Sequence, residues 1–267
     1  EDVQSEESII YIPNAQKLDT ELAEFYTLPD FLNSEECDQV TELIKEKLRP
    51  STVVSNNDND ESFRTSSTCD FEKPEPFFAE IDRRICAILG IDPSYSEIAQ
   101  GQYYEIGQEF KAHTDFFEGE GYELHAKKQG QRTYTFMVYL NDVESGGATE
   151  FTRLKQTIQP KKGMAIIWNN LNKDGSNNYN TYHQAHPVRS GFKSIITKWF
   201  RNKGNGSMFT KEPNEFIPNY TQVGFKKEKL DDQLFEKINK FYISNLENNK
   251  PEFVEGGYVE IEETGEF

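Results

Sequence analysis

Between residues 97 and 200 the chain breaks into eight short apolar or alternating stretches separated by Gly, Asn and Pro turns. They are Glu97–Glu105, Lys111–Phe116, Thr133–Leu140, Ala148–Thr152, Thr157–Pro160, Ala165–Asn169, Tyr182–Val188 and Lys193–Phe200. None has the length or the 3.6-residue period of a helix, and many short strands at close spacing predict an antiparallel sandwich or barrel. Two helices are expected upstream. Asn33 or Ser34 can cap the first, which runs to about Leu48 before Pro50 and carries Val40, Leu43, Ile44 and Leu48 on one face. The second, Ala79–Leu89, carries Ile81, Ile85 and Ile88 on one side. The pattern is mainly β with flanking helices.

Other stretches are less constrained. Short strands are expected around Ile9-Ile10-Tyr11-Ile12 and at Phe25-Tyr26-Thr27-Leu28. The polar run Ser55–Glu61 has no apolar residue and suits a mobile loop that could cover a site. After a Gly/Asn/Lys-rich connector from Lys203, an amphipathic helix is expected over 231–246, followed by an acidic tail from Glu252. This gives an N-terminal segment (1–22), a main domain (23–202) and a C-terminal helical extension (203–267).

Composition narrows the function. An apolar fraction of 35%, with 20 Phe and 13 Tyr, supports a real core. No apolar run reaches the 18 or more residues that a membrane-spanning helix needs. A net charge of −17 argues against a nucleic-acid partner, whose phosphates are neutralised by Lys and Arg. Peptides and other neutral or basic substrates remain compatible. Three widely spaced cysteines, Cys37, Cys69 and Cys86, suggest reduced thiols and a cytoplasmic location. The first residues, Glu1-Asp2-Val3-Gln4-Ser5, lack the basic-then-apolar pattern of a signal peptide. They also lack an initiating Met, which leaves a removed leader open.

The stretch Phe110-Lys111-Ala112-His113-Thr114-Asp115 carries the chemistry. Residues two apart on a strand project from one face, so His113 and Asp115 offer an imidazole and a carboxylate together. With a second histidine they would form the two-histidine, one-carboxylate set of non-haem Fe(II) oxygenases, which leaves coordination positions open. His183 and His186 are both candidates. His125 lies in the polar stretch Tyr122–Gln131 and is expected at the surface. A zinc hydrolase could use the same donors, and His-x-Asp alone is equally compatible with a surface pair.

The wider sequence resembles the prolyl 4-hydroxylase family of Fe(II)/2-oxoglutarate dioxygenases. The resemblance runs over roughly 23–202: Leu28-Pro29-Asp30-Phe31-Leu32, Arg49-Pro50-Ser51, Phe63-Arg64-Thr65-Ser66-Ser67, Tyr104-x-x-Gly107-Gln108, Arg132-x-x-Thr135, Tyr139-Leu140-Asn141-Asp142, Gly146-Gly147-Ala148-Thr149-Glu150-Phe151, Pro160-Lys161-Lys162-Gly163 and Trp199-Phe200-Arg201. It implies a double-stranded β-helix (jelly-roll) core. It also implies Fe(II), 2-oxoglutarate and O2, leaves ascorbate open as a further reductant, and makes His113, Asp115 and His183 the metal ligands. His183 precedes a Pro-Val pair by four residues and Lys193 by ten, as the family's second histidine does. His186 would then line the pocket or bond to backbone.

By the same resemblance, Lys193 would receive the 5-carboxylate of 2-oxoglutarate, with the Tyr104 and Thr135 hydroxyls beside it. A buried carboxylate without such partners is costly. Arg64, Glu97, Arg132 and Trp199 would surround a peptide groove, Trp199 packing on a prolyl ring. Asp115 favours hydroxylation, since related halogenases have Gly or Ala there. Two positions depart from plant and algal relatives, with Phe110 where they have Tyr and Arg201 where they have His. Both would neighbour the substrate. The function expected is therefore hydroxylation of an unactivated C–H bond, with proline in a peptide or protein as the substrate. A free amino acid or other small molecule is the alternative within the class, and a non-catalytic peptide-binding module the alternative outside it. Whether the chain is a monomer or a homodimer stays open.

Overall fold

A computed structural model of the protein describes residue 10 and residues 12–51, 63–72 and 74–210. All lie in the first of two compact units, 1–217 and 218–267. The loop Ser55–Glu61, the helix expected over 231–246, the acidic tail and most of the strand expected at 9–12 lie outside the described residues.

One large sheet organises the rest. Its strands run in the order β1 (Gln16–Lys17), β2 (Phe25–Leu28), β11 (Ala165–Asn169), β7 (Arg132–Tyr139), β14 (Lys193–Arg201), β5 (Gln100–Tyr104), β4 (Ser67–Asp70) and β3 (Arg49–Pro50). A smaller sheet has the order β10 (Gln156–Ile158), β9 (Thr149–Phe151), β12 (His183–Ala185) and β6 (Phe110–His113). A third pair joins β13 (Val188–Ser190) to β8 (Ser145–Gly146). Among the described residues every pairing within these sheets is antiparallel.

Side-chain alternation gives the large sheet two different faces. Phe136, Val138, Ile167, Ile196 and Phe200 join one apolar cluster with Val40 and Ile44 of α1 (Ser34–Glu46) and Ile81 and Ile85 of α2 (Pro76–Leu89). Met137, Tyr139, Ile166, Trp168 and Ile195 join a second cluster with Phe151 and Ala185 of the smaller sheet. Helices thus cover one face, and the smaller sheet closes over the other, an antiparallel sandwich as the strand pattern predicted and the jelly-roll core that the resemblance implied. Asn33, not Ser34, caps α1: its side chain accepts from Glu36 N while Glu36 accepts from Asn33 N. Gly90, at φ 63°, ends α2 in the left-handed conformation that suits glycine.

Several boundaries differ from expectation. The strand expected at Tyr182–Val188 is two strands, because Pro187 has no N–H to donate to a ladder. Ser67–Asp70 forms a strand, β4, although its short polar sequence gave no such signal. Residues 119–129 form helical turns where only a polar stretch was expected. The connector from Lys203 is stitched to the main unit as far as residue 210. Asp92 N donates to Met208 O, Thr210 N to Gly90 O, and Tyr95 Oη to Gly206 O. Among the described residues no helix is long and apolar enough to cross a membrane.

Candidate metal centre and substrate groove

Antiparallel pairing places His183 of β12 directly opposite His113 of β6. Their rings lie 4.3 Å apart between centroids. Asp115 follows just beyond the end of β6, so the strand alternation used to place it beside His113 does not extend that far. It nevertheless reaches the same point: Asp115 Oδ1 is 3.8 Å from His113 Nε2. One ligand atom from each of the three residues lies within 4.8 Å of the others, the one such group of donors among the described residues.

Both imidazoles are prepared as ligands. His113 Nδ1 meets Lys111 O at 2.8 Å, and His183 Nδ1 meets Thr181 O at 2.8 Å. A carbonyl can only accept, so each Nδ1 carries a proton, and in the neutral ring it is Nε2 that offers a lone pair to the shared point. Burial, with His183 alongside, pushes the His113 pKa well down and keeps the ring neutral. Burial alone would raise the Asp115 carboxyl. The net shift is downward, because the charge that His183 and His113 carry when protonated, the Arg132 guanidinium and the Thr135 hydroxyl together outweigh it. Two imidazoles presenting Nε2 and one ionised carboxylate fit a divalent cation, and among the described residues no fourth protein donor closes the site.

Walls hold these groups in place. Phe110 stacks on His113 at 3.6 Å, and Phe151 stacks on His183 at 5.0 Å. Trp168 meets the edge of His183 at 5.0 Å.

Behind the three ligands a narrow chamber runs between the sheets to Lys193, lined also by Gln102, Tyr104, Thr149 and Thr197. Lys193 is 1% exposed. Burial draws its pKa down to about 7. Its Nζ reaches Thr149 Oγ1 at 3.3 Å, and Tyr139 Oη donates to the same oxygen at 2.8 Å. Tyr104 lies directly opposite Lys193 in the register of β5 and β14, and its hydroxyl donates to Gln102 Oε1 at 2.9 Å.

Thr135 corrects an expectation. It was paired with Lys193 as a hydroxyl donor to the oxoacid, but its Oγ1 donates to Asp115 Oδ2 at 2.7 Å. The hydroxyls near Lys193 belong to Tyr104, Thr149 and Tyr139. Thr149 and Tyr139 were within reach of sequence reasoning, since both fall in quoted motifs at inward-facing strand positions.

In front of the ligands opens a groove of about 690 Å³, bordered by Arg64, Glu97, Phe110, Arg132 and Trp199. All four residues expected around a substrate are therefore on its walls. Glu97 accepts from Arg132 Nε at 2.7 Å and Nη2 at 2.9 Å, and from Arg201 Nε at 2.5 Å. Arg132 also lies over the Trp199 ring at 3.9 Å, so one face of that indole is already covered. Arg64 is tied to Ser66, Thr68 and Gln100. Arg201 holds the 119–129 turns through His125 O and Gly130 O. His186, expected to line the pocket or bond to backbone, donates its backbone N–H to Ala148 O at 2.8 Å and sets its ring Nε2 2.8 Å from Glu150 Oε2, with its side chain 40% exposed. His125 is exposed.

Residues 99–201 match the family model described as the 2OG-Fe(II) oxygenase superfamily. The chain is 34% identical over 180 residues to prolyl 4-hydroxylase subunit alpha-2 of Gallus gallus, covering 66% of this chain and 34% of that protein. It is 33% identical over 179 residues to subunit alpha-3 of Mus musculus, covering 66% and 33%. The match thus spans about a third of the length of these relatives. Among solved structures, the viral collagen prolyl hydroxylase of Paramecium Bursaria Chlorella virus-1, in complex with 2OG, superposes with a TM-score of 0.50 at 28% identity. That match covers 66% of this chain and 94% of the viral one. Matching sequence over β5 to β14 and a shared fold with a 2OG-bound protein come together on the residues that surround the His113–Asp115–His183 cluster, and in them the chain is similar to the 2OG-Fe(II) oxygenases and, among these, to prolyl 4-hydroxylases.

Proposed function

We propose that the protein hydroxylates an unactivated C–H bond, with proline in a peptide or protein as the substrate. The carrying observation is the position of the three ligands, at the junction of a narrow chamber that ends in a buried lysine and a wider groove. Fe(II) would be held by His113 Nε2, His183 Nε2 and Asp115, and when bound with 2-oxoglutarate it supplies the oxidative decarboxylation to succinate that drives oxygen transfer. Lys193 would neutralise the distal carboxylate of the oxoacid, with the Thr149 and Tyr104 hydroxyls at hand. The apolar walls, Phe110, Phe151 and Trp168, keep water from the ligands. Arg132 and Glu97 would fix the substrate in the groove beside Trp199.

An open groove of this size favours an extended peptide over a free amino acid. The prolyl 4-hydroxylase names of the relatives support proline, and the Phe110 and Arg201 departures leave the peptide sequence to be found. A zinc hydrolase would leave the chamber behind the ligands, and Lys193 at its end, without a task. Buried free thiols at Cys37, Cys69 and Cys86 fit a reducing compartment such as the cytoplasm.

The test is to incubate the protein with Fe(II), 2-oxoglutarate, O2 and pools of proline-rich and lysine-rich peptides. Succinate formation with proline-containing products heavier by one oxygen atom is expected. Succinate coupled only to free amino acids would move the substrate to the alternative, and no Fe(II)-dependent succinate at all would sink the reading.

A further inference from the structure

Asp115 is held by a chain of buried hydrogen bonds that starts two strands away. Trp168 Nε1 donates to Asn170 Oδ1 at 2.9 Å. Asn170 Nδ2 donates to Thr135 Oγ1 at 2.8 Å. Thr135 Oγ1 then donates to Asp115 Oδ2 at 2.7 Å. Asn170 and Thr135 are 0% exposed and Trp168 1%, so water does not compete for these bonds.

The direction of the chain is fixed at its far end. An indole nitrogen can only donate, so the Asn170 amide must turn its oxygen to Trp168 and its NH2 to Thr135. Thr135 Oγ1 therefore receives a hydrogen from Asn170. Its own single proton is directed to Asp115 Oδ2, which leaves Oδ1, the oxygen facing His113, for a cation. The same indole packs against His183. One tryptophan thus steadies one metal-ligating histidine by contact and the carboxylate through two intermediates.

We propose that Asn170 and Thr135 are positioning residues that select Asp115 Oδ1 as the metal-binding oxygen, through a hydrogen-bond relay whose polarity Trp168 sets. The inference rests on the Fe(II) reading above. Outer partners of metal ligands typically contribute about 10–100-fold to metal affinity. The relay should act mainly on cation binding, with the oxoacid pocket around Lys193 unaffected.

The test is anaerobic Fe(II) binding by calorimetry, without turnover, on three variants whose folding is checked by thermal unfolding. Thr135→Val replaces the hydroxyl by a methyl of similar volume, and about tenfold or more weaker binding is expected. Thr135→Ser keeps the hydroxyl and should bind within a few-fold of wild type. Asn170→Asp turns a donor into an acceptor, so Thr135 would give its proton to residue 170 and lose its bond to Asp115. Charge alone would make this last variant bind a cation more tightly, whereas a reversed relay makes it bind about tenfold more weakly, so the sign decides. Thr135→Val or Asn170→Asp binding as tightly as wild type, or Thr135→Ser falling as far as Thr135→Val, would overturn the relay alone. A folded wild-type protein that takes up no Fe(II) would remove the function reading first, and the relay with it.

Discussion

His113 and His183 occupy facing positions of one antiparallel strand pair, β6 and β12, and each points its Nδ1 at the carbonyl two residues earlier in its own chain. The repeated device is economical. The acceptors are backbone carbonyls, Lys111 within β6 and Thr181 in the turn that leads into β12, so both rings are oriented for a metal without help from another side chain. The carboxylate, which stands beyond the strand end, cannot be fixed in this way. It is held from the large sheet by Thr135.

This arrangement separates the two neighbouring histidines sharply. His183→Ala should abolish Fe(II)-dependent conversion of 2-oxoglutarate to succinate. His186→Ala should keep activity within a few-fold, since its ring is half in solvent and paired with Glu150. Succinate release by the two purified variants decides it, and the reverse pattern would overturn the ligand assignment.

The separation also shows what the sequence could and could not convey. The ligands, Lys193 and the groove residues stand in local motifs whose spacing survives in one dimension. Thr135 was legible as an inward-facing strand residue, but its partner was not. Register decides that, and Thr135 lies on the central strand β7, opposite Trp168 on one side and Trp199 on the other. Asn170 gave no signal at all, because a buried amide looks like any loop asparagine until its donors and acceptors are placed. Strand β4 was missed for a related reason: Ser67–Asp70 is polar, and it forms because β5 offers a ladder, not because its own residues prefer one.

Helix and sheet meet most tightly at Gly101. A methyl group there would stand 2.4 Å from Ile44 Cγ1 and 2.7 Å from Ile44 Cδ1. Gly101→Ala should therefore cost about 1–3 kcal/mol, measured by urea unfolding, through overpacking of α1 on β5. Combining it with Ile44→Val, which removes Cδ1, should cost less than the sum of the two single changes. Simple additivity would show that the helix shifts freely to make room.

Glu97 is the hinge of the groove's charge balance. It holds Arg132 and Arg201 at once, and those guanidiniums are only 17% and 7% exposed. Glu97→Ala leaves two buried cations uncompensated and should destabilise the fold by about 3–5 kcal/mol. By contrast, Lys127→Ala breaks an exposed pair with Glu123 and should change stability by less than about 1 kcal/mol. Thermal or urea unfolding of both variants provides the comparison, and equal small effects would mean that Glu97 is replaceable by solvent.

Lys193 links the chamber to pH. Its pKa lies near 7 in the folded chain, against an ordinary value of 10.5. Between those values the unfolded chain binds a proton that the folded chain does not, so its contribution favours folding more strongly as pH rises through that window. An oxoacid carboxylate seated against Lys193 reverses the preference, because it stabilises the ammonium. Above about pH 7, binding of 2-oxoglutarate should therefore take up a proton at this residue. Calorimetry at pH 8 to 9, in buffers with different heats of ionisation, reads that uptake directly. Lys193→Met should abolish it and weaken 2-oxoglutarate binding by at least about a hundredfold, the scale expected when a buried charge loses its partner. Binding with the same proton count in wild type and Lys193→Met would mean that the carboxylate is received elsewhere.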